Sequence, residues 1–394
     1  MKKFFLTTTA MVFVMLFCNI LVAQQQSKPK QQPNPQKWSV VKSNDNGKKG
    51  YMNSAGKFVI QPIFDRAEGF TKDGLAIART DNGNWGVINT SGKWVVQPEF
   101  QELYQTVSEG LRAAKSNGQW GFIDKTGKWV IQAQFSKVGS FQEGLAAVKI
   151  GNKYGFIDKT GKTIIEPQFS WIMGSFTDGV CCVEVNGKYG IIDKTGKWVV
   201  DAIYAYIGTF QEGLVSVGTN GGKVGYMDKT GKWVIEPIYD LKGSFSEREG
   251  ARFFSEGLAP VWINGKCGYI DKTGKMIIEP QFEFPSNFED GCASVKVNGK
   301  QGLIDKTGNW VINPDYDHLS NDFTAKNQYC VSKCINNQCK TGIIDKTGKI
   351  IIPIVYYNVE MSSGELYSCM RDGGYDYINS KGEVVYSTDN RGGL

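Results

Sequence analysis

The stretch that reads most like chemistry is Asp158-Lys-Thr-Gly-Lys-Thr163, which ends in the GKT of a phosphate-binding loop. Such a loop places four residues between its first glycine and the GK pair. It then opens a helix whose first N–H groups hold the phosphate. Here Gly155 and Gly161 enclose five residues, and the chain runs on into Thr163-Ile-Ile-Glu-Pro167, a strand-forming segment. The tetrad DKTG also occurs seven times. Three further copies, Asn53-Ser-Ala-Gly56, Asn89-Thr-Ser-Gly92 and Asn379-Ser-Lys-Gly382, keep the Asx residue and the glycine but not the Lys-Thr pair. What persists is what a type I turn needs: an Asx side chain to cap it and a glycine to leave it. DKTG is therefore read as a corner.

Other candidates for chemistry are few. The single histidine, His318, sits in Asp-Tyr-Asp-His-Leu-Ser-Asn-Asp-Phe with no nucleophile or metal-ligand motif at a telling spacing, and it reads as a surface or structural residue. Neither GxSxG nor HExxH is present. Carboxylates recur once per repeat, and two of them meeting in space is the remote hydrolase alternative. No catalytic, cofactor-binding or metal residue is assigned, and the expectation is a protein that is not an enzyme and uses no cofactor.

Cysteine and tryptophan need separate readings. Cys181, Cys182 and Cys292 replace Ala or Leu in one strand type, and Cys267 replaces a repeat Trp, so all four read as buried fillers. Cys330, Cys334 and Cys339 cluster in Cys-Val-Ser-Lys-Cys-Ile-Asn-Asn-Gln-Cys. If Asn336-Asn337 is the turn, Cys334 and Cys339 face one another across a hairpin, and a disulfide between them is predicted. A zinc site from three cysteines lacks a histidine and is the weaker alternative. Trp94, Trp129, Trp198, Trp233 and Trp310 recur at one strand position. Exposed, they would stack on sugar rings; buried, they are the core between repeats. Thr163, Met276 and Ile350 substitute at that position, which favours core.

These residues are positioned by one sentence repeated. Aligned on the glycine of GKYGFIDKTGK, the anchors are Gly50, Gly86, Gly121, Gly155, Gly190, Gly225, Gly268, Gly302 and Gly342, with Asp376 in a degenerate tenth copy. The spacings are 36, 35, 34, 35, 35, 43, 34, 40 and 34, leaving no room for a separate catalytic domain. Each unit reads as a strand, a two-residue turn, a second strand, the DKTG corner and a third strand carrying a proline. The turn is Asn-Gly at Asn82-Gly83, Asn117-Gly118, Asn186-Gly187, Asn264-Gly265 and Asn298-Gly299, the strongest short-range hairpin signal. A Phe-x-Glu/Asp-Gly punctuation then leads to the next unit. Three short strands cannot bury two faces alone, so the units must stack.

Trp/Tyr-Gly-hydrophobic-Ile-Asp-Lys-Thr-Gly-Lys-Trp-Val-Ile-x-Pro-x-Phe resembles the bacterial WG repeat family. The naming dipeptide stands at Trp85-Gly86 and Trp120-Gly121; Tyr154, Tyr189, Val224, Cys267 and Gln301 replace the Trp elsewhere. The resemblance covers roughly residues 39 to 386 and implies an interaction module. The fold class expected is all-β: about ten three-stranded meanders of ~35 residues in an open curved, superhelical array. A β-propeller is the alternative; ten units exceed its usual blade count and 35 residues is short for four strands.

Residues 1–23 read as a signal peptide: Met-Lys-Lys, then an apolar run to Ala23. Cys18 follows Met-Leu-Phe, without the small residue that lipoprotein processing needs. Residues 24–37 read as a disordered Gln/Pro-rich spacer, 38–386 as the array and 387–394 as a tail. Of the formal charge of +6, five come from Lys2, Lys3, Lys28, Lys30 and Lys37 in the first 37 residues, which contain no acid; the remainder carries +1. A nucleic-acid partner wants concentrated positive charge, so none is expected. The mature chain is expected to have no membrane span.

The functional reading is an exported protein, periplasmic, outer-membrane-associated or extracellular, offering a protein-binding or scaffolding surface. Binding of carbohydrate or peptidoglycan is the alternative. The partner site expected is the insertion in the 43-residue unit, where Arg248, Arg252, Phe253 and Phe254 gather the residue types enriched at interface hot spots.

Overall fold

The structure is a computed structural model, described here for residues 34–241, 253–320, 326–336, 338–362 and 364–389. The chain divides into Met1–Pro35 and a compact unit, Gln36–Leu394. The expected signal peptide and nearly all of the spacer lie outside the described residues, as do Arg248 and Arg252.

The larger unit is ten small antiparallel sheets. In the third repeat the strands are Arg112–Ser116, Gln119–Ile123 and Trp129–Phe135. Asn117 (φ 50°) and Gly118 (φ 78°) join the first two, and both are left-handed, as a type I′ turn demands. Asn186, Asn264 and Asn298 repeat this geometry with their glycines. Asn82-Gly83 does not. There Arg79 pairs with Trp85 across a longer loop, the Gly83 N–H donates to Thr80 O at 3.0 Å, and only the glycine is left-handed. The extra residue Asp81 turns this hairpin end into a second corner of the DKTG kind.

The connector adds something that the strand pattern alone conceals. Glu102–Leu103 pairs with Arg112–Ser116 as a short fourth strand. Among the described residues seven of the ten sheets have four strands and three have three, so the expected three-stranded unit is extended in most copies. Where Pro285 lies against Val295 only an isolated bridge forms, because proline has no N–H to continue a ladder.

The anchor glycine has a steric cause. Trp120 pairs with Phe135 and Phe122 with Ile131, so one residue, Gly121, faces three on a bulged third strand. A Cβ on Gly121 would lie 2.5 Å from Ile131 O and 2.7 Å from Ala133 N. The tenth copy supplies the control. Its Asp376 pairs one-to-one with Ser387 and the bulge is gone. The proline of the third strand is not what makes the bulge, since Ala133 and Ala202 occupy its place in two copies and the register shift persists. The bulge goes with the glycine.

Apolar burial lies between units. Phe122, Ile131 and Phe135 of the third unit form one cluster with Val138, Phe141, Ala146 and Val148 of the fourth, and the series repeats around the chain. The series closes. Val41 and Met52 of the first unit share a cluster with Leu366 and Tyr377 of the last. The Ser39 hydroxyl accepts from the Leu366 N–H at 3.0 Å, and Lys37 pairs with Glu365 at 2.6 Å. Asn44 Nδ2 donates to Ser387 O at 2.9 Å, and the Asp389 N–H donates to Asn44 Oδ1 at 3.1 Å. Of the two arrangements expected, the propeller is the one formed, a closed ring of ten blades, in place of the open array. Stacked units leave two apolar end faces, and ring closure buries both. The last strand also runs to Asp389, three residues into the segment expected as a tail. Among the described residues no helix is long and apolar enough to cross a membrane.

Candidate functional site

The corners come first, because they dispose of the phosphate reading. Asp124 Oδ1 accepts from the Thr126 N–H (2.8 Å), the Thr126 hydroxyl (2.6 Å) and the Lys128 N–H (3.1 Å). The Gly127 N–H donates to Asp124 O, and Gly127 has φ 89°. Asp158 in the GKT copy does the same. The Thr126 hydroxyl and the backbone N–H groups hold the Asp124 carboxyl below the usual carboxylate range. Asn53, Asn89 and Asn379 accept the equivalent backbone bonds through their amide oxygens. In these turns the Asx oxygen is engaged by the chain's own donors.

The Lys-Thr pair, which looked dispensable, has two uses. The threonine donates to the aspartate, and the lysine reaches the neighbouring blade. Glu109, held at φ 52°, accepts from the Gly144 N–H of the next blade at 3.0 Å and pairs with Lys159 of that blade's corner at 2.8 Å. Lys159 is the main cause holding the Glu109 carboxyl below its usual range. Glu212 repeats the arrangement with Gly257 and Lys272 (2.9 Å), and Glu256 with Gly291 and Lys306 (3.0 Å). Glu143 takes the Gly179 N–H at 3.0 Å, with Lys194 at 3.9 Å. Each Phe-x-Glu-Gly punctuation is thus a clasp between blades. The sequence shows both halves of the clasp at these four junctions, but not that they meet.

The recurring tryptophans stand at those same junctions. Trp94, Trp129, Trp198, Trp233 and Trp310 pack edge-on against Phe64, Phe100, Phe169, Tyr204 and Phe282 of the preceding blade, with centroids 5.6–6.2 Å apart. Phe58 repeats the contact with Tyr386 at the closing joint (5.7 Å). Four of these tryptophan rings are half-buried between blades, while Trp310 keeps its aromatic contact but is 40% exposed.

Of the residues expected to contact a partner, Phe254 is a correction. It is only 1% exposed and packs on Tyr226 at 4.9 Å, as Phe141 packs on Phe122 and Phe288 on Tyr269. Phe254 is the punctuation phenylalanine of its own blade, so the hydrophobic effect claims it for the core. Phe253 is half-buried beside it. Cys334 and Cys339 pair directly across their hairpin, with Cα atoms 3.9 Å apart, and are joined as a disulfide. Asn336 enters the turn with φ 50°; Asn337 lies outside the described residues. Cys181, Cys182 and Cys267 are buried, and burial pushes the Cys181 thiol up to about 12. His318 is exposed on a short strand, His318–Ser320. Among the described residues no three His, Cys, Asp or Glu side chains gather to hold a metal.

The surface feature that repeats is on the third strand. It is a sheet edge in every blade, paired on one side only. Its third and seventh residues are buried in most blades, while its second and sixth point outward. Ile63, Ile203, Ile238 and Val355 at the sixth position are 60%, 56%, 62% and 57% exposed, and Val95, Val130, Ile164 and Val234 are exposed at the second. Among the described residues the third strands thereby carry an aliphatic belt at the second position in nine blades, widened at the sixth position in four.

Comparison with known proteins fits this geometry. Among solved structures, a eukaryotic initiation factor matches over 90% of this chain and 96% of its own, with 13% identity and a TM-score of 0.50. BamB from Moraxella catarrhalis (14% identity, 71% and 94% coverage, TM-score 0.39) and Kluyveromyces lactis Hsv2 (10%, 71% and 98%, 0.36) also match. At such identities the first likeness speaks to the fold alone. No curated protein matches the sequence. The model of the WG containing repeat matches nine times, at residues 50–83, 85–120, 120–154, 154–189, 189–222, 225–267, 268–300, 302–326 and 342–375. With those segments tiling most of the ring, the chain belongs to the WG containing repeat family.

Proposed function

We propose that this chain is an exported, non-catalytic repeat protein that offers a protein-binding surface, as a scaffold in the bacterial cell envelope or outside it. The observation that carries the reading is the aliphatic belt. Single exposed apolar residues are ordinary, but the second edge position is Val or Ile in nine blades, joined by Ile or Val at the sixth position in four of them. A sheet edge with unpaired backbone groups and regularly spaced side chains is what a partner strand or loop can add to. The signal-like N-terminus supports export. The edge-on packing of the repeat tryptophans against the preceding blade weakens the glycan alternative, since it covers part of each ring.

The test is affinity capture from an envelope fraction with the protein and with Ile203→Lys/Ile238→Lys, beside a pull-down on peptidoglycan. Both isoleucines are exposed, so the melting midpoint should stay within about 1 °C of the parent, as surface substitutions usually do. Loss of specific protein partners in the variant supports the proposal. An identical partner set refutes the belt, and retention on peptidoglycan alone favours the glycan reading.

A further inference from the structure

One junction departs from the common plan in three coordinated ways. Between the second and third blades, Val87 and Val107 stand where Phe122 and Phe141, or Tyr226 and Phe254, form an aromatic pair at other junctions. Two isopropyl groups in place of two rings leave a cavity of about 210 Å³, walled by Leu75, Val87, Val96 and Val107.

The clasp at that junction is open. Its donors are in place, since Gly110 and Lys125 line the cavity. Its carboxylate is not a glutamate but Asp73, on a loop one residue longer (Phe70-Thr-Lys-Asp-Gly74), and the Asp73 carboxylate accepts from the Thr71 hydroxyl. It reaches neither Gly110 nor Lys125 as Glu109 reaches Gly144 and Lys159.

The third departure is Arg112. The register puts it in the column of Ala76, Ala146, Cys181, Val215, Ala259 and Ala293, small or aliphatic residues facing Ile or Met. Arg112 lines the same cavity and is only 4% exposed. Its Nη1 donates to Tyr104 O (2.5 Å) and Gln105 O (2.7 Å), which leaves Nε and Nη2 without an acceptor among the described residues. It forms no ion pair there either. The Asp73 carboxylate on the same lining acts on Arg112 without pairing with it, and a buried guanidinium with no ion-pair partner is costly to keep. The remaining carboxylate of the lining, Asp124, has its Oδ1 engaged in its own corner.

We propose that this cavity binds a small carboxylate carrying an apolar group. The carboxylate takes the place that the clasp glutamate holds at other junctions, between the Gly110 N–H and the Lys125 ammonium, with Arg112 as a third donor. The apolar group lies against the valines where an aromatic pair would otherwise sit. The junction between the fifth and sixth blades is an internal contrast. It too has an aspartate clasp residue, Asp178, and a cavity of about 200 Å³, but Cys181 occupies the arginine column. Lacking the buried cation, it does not select an anion.

The experiment is titration of the purified protein with phenylacetate and with isovalerate, followed by calorimetry and by backbone amide shifts of Gly110 and Lys125. Phenylacetamide serves as the neutral control. Saturable binding of at least one acid, and of the amide about 10- to 100-fold more weakly, is expected, the range for loss of charge-assisted hydrogen bonds. Arg112→Met should weaken the acid by a similar factor while keeping or raising the melting midpoint. Val107→Phe, which leaves every charge in place, should abolish binding by filling the cavity. Absence of saturable binding for both acids, equal binding of acid and amide, or unchanged binding in Val107→Phe would each overturn the proposal. A fall in the Arg112→Met midpoint with binding intact would make the arginine a cap on Tyr104 and Gln105 only.

Discussion

Three glycines within about twenty residues of each other set up a quantitative test of the bulge argument. At Gly121 an added Cβ would sit 2.5–2.7 Å from three backbone atoms of the third strand, Ile131 O, Ala133 N and Gln132 C. None of these can swing aside as a side-chain end can. Relief requires the strand to move, and overpacking of this kind costs typically 1–3 kcal/mol; rigid backbone on three sides puts Gly121→Ala at about 3. At Gly118 the space is open, with nothing within 4 Å, but φ is +78°. Gly118→Ala should cost only the left-handed penalty, about 1 kcal/mol. At Gly139 φ is ordinary and the nearest atom is Ala147 Cβ at 3.6 Å. Gly139→Ala should be neutral, or stabilising by about 0.5 kcal/mol through the unfolded chain.

The assay is equilibrium urea unfolding of all three variants, followed by tryptophan fluorescence. Thermal midpoints are less discriminating, since at about 2 cal/mol/K per residue a ring of this length moves only about 4 °C for 3 kcal/mol. Equal losses at Gly121 and Gly118 would show that conformation, not the overlying strand, selects the anchor glycine, and would refute the account. The tenth blade sharpens the case: it holds Asp376 at this place because its third strand is not bulged opposite that residue, the remaining register shift lying between Tyr377 and Ile378.

Acid should destabilise the corners. Asp124, Asp158, Asp193, Asp228, Asp271, Asp305 and Asp345 are each held below the usual range, first by the hydroxyl of the threonine two residues on. A folded value below the unfolded one gives stability that is present above the unfolded pKa, about 3.9, and is lost as the pH falls through the folded values. Urea midpoints should therefore hold from pH 7 to about 5 and drop below about 4; with all seven changed to Asn, that part of the drop should vanish. At the clasp, Glu109→Ala should cost about 1 kcal/mol and Glu109→Gln, which keeps an acceptor for Gly144, a few tenths, with the ion-pair part shrinking in high salt; identical losses would remove the Gly144 bond from the account. Reduction of Cys334–Cys339, five residues apart, should cost at most about 2 kcal/mol, because closing so short a loop restricts the unfolded chain little. Thiol counting on unreduced protein and a midpoint measured with and without reductant check both parts, and two free thiols at these positions would remove the bridge.

How far the fold could be read from the sequence depended on whether a residue acts within its own unit. Asx and glycine at the corner, and Asn-Gly at the hairpin, act on the local backbone, so repetition made them legible. Contacts between units were not. Glu109 and Lys159 are 50 residues apart, and each looks like surface charge until two corners are placed side by side. Tryptophan could be assigned to packing from its substitutes Thr163, Met276 and Ile350, but not its partner. Phe254 falls in an insertion by length, but its Phe-x-Glu-Gly context marks it as the equivalent of Phe70, Phe141, Phe176 and Phe288, which other blades bury. Arg112 carries a signal in the sequence: it is the one charged residue in a column that otherwise holds small or aliphatic residues and the tyrosines Tyr329 and Tyr367.

Closure is the property least accessible from repeats, because periodicity fixes the contact between neighbours and says nothing of the angle between them. The first and last copies depart most from the common sequence, and ring closure gives that departure a cause. Nine junctions are crossed by the chain itself; the joint between the tenth and first blades has no connector and must be held by side chains and strand ends. There Phe58 and Tyr386 keep the aromatic contact of the common plan. Asp376 in place of glycine keeps the last strand unbulged, pairing residue by residue from Tyr386 to Asp389. That straight course carries Ser387 O and the Asp389 N–H to Asn44 of the first blade. Arg371 ties the same strand down through Asp376 and Asp389. The departures at the two ends are therefore complementary, and together they do the work that a covalent connector does at every other junction.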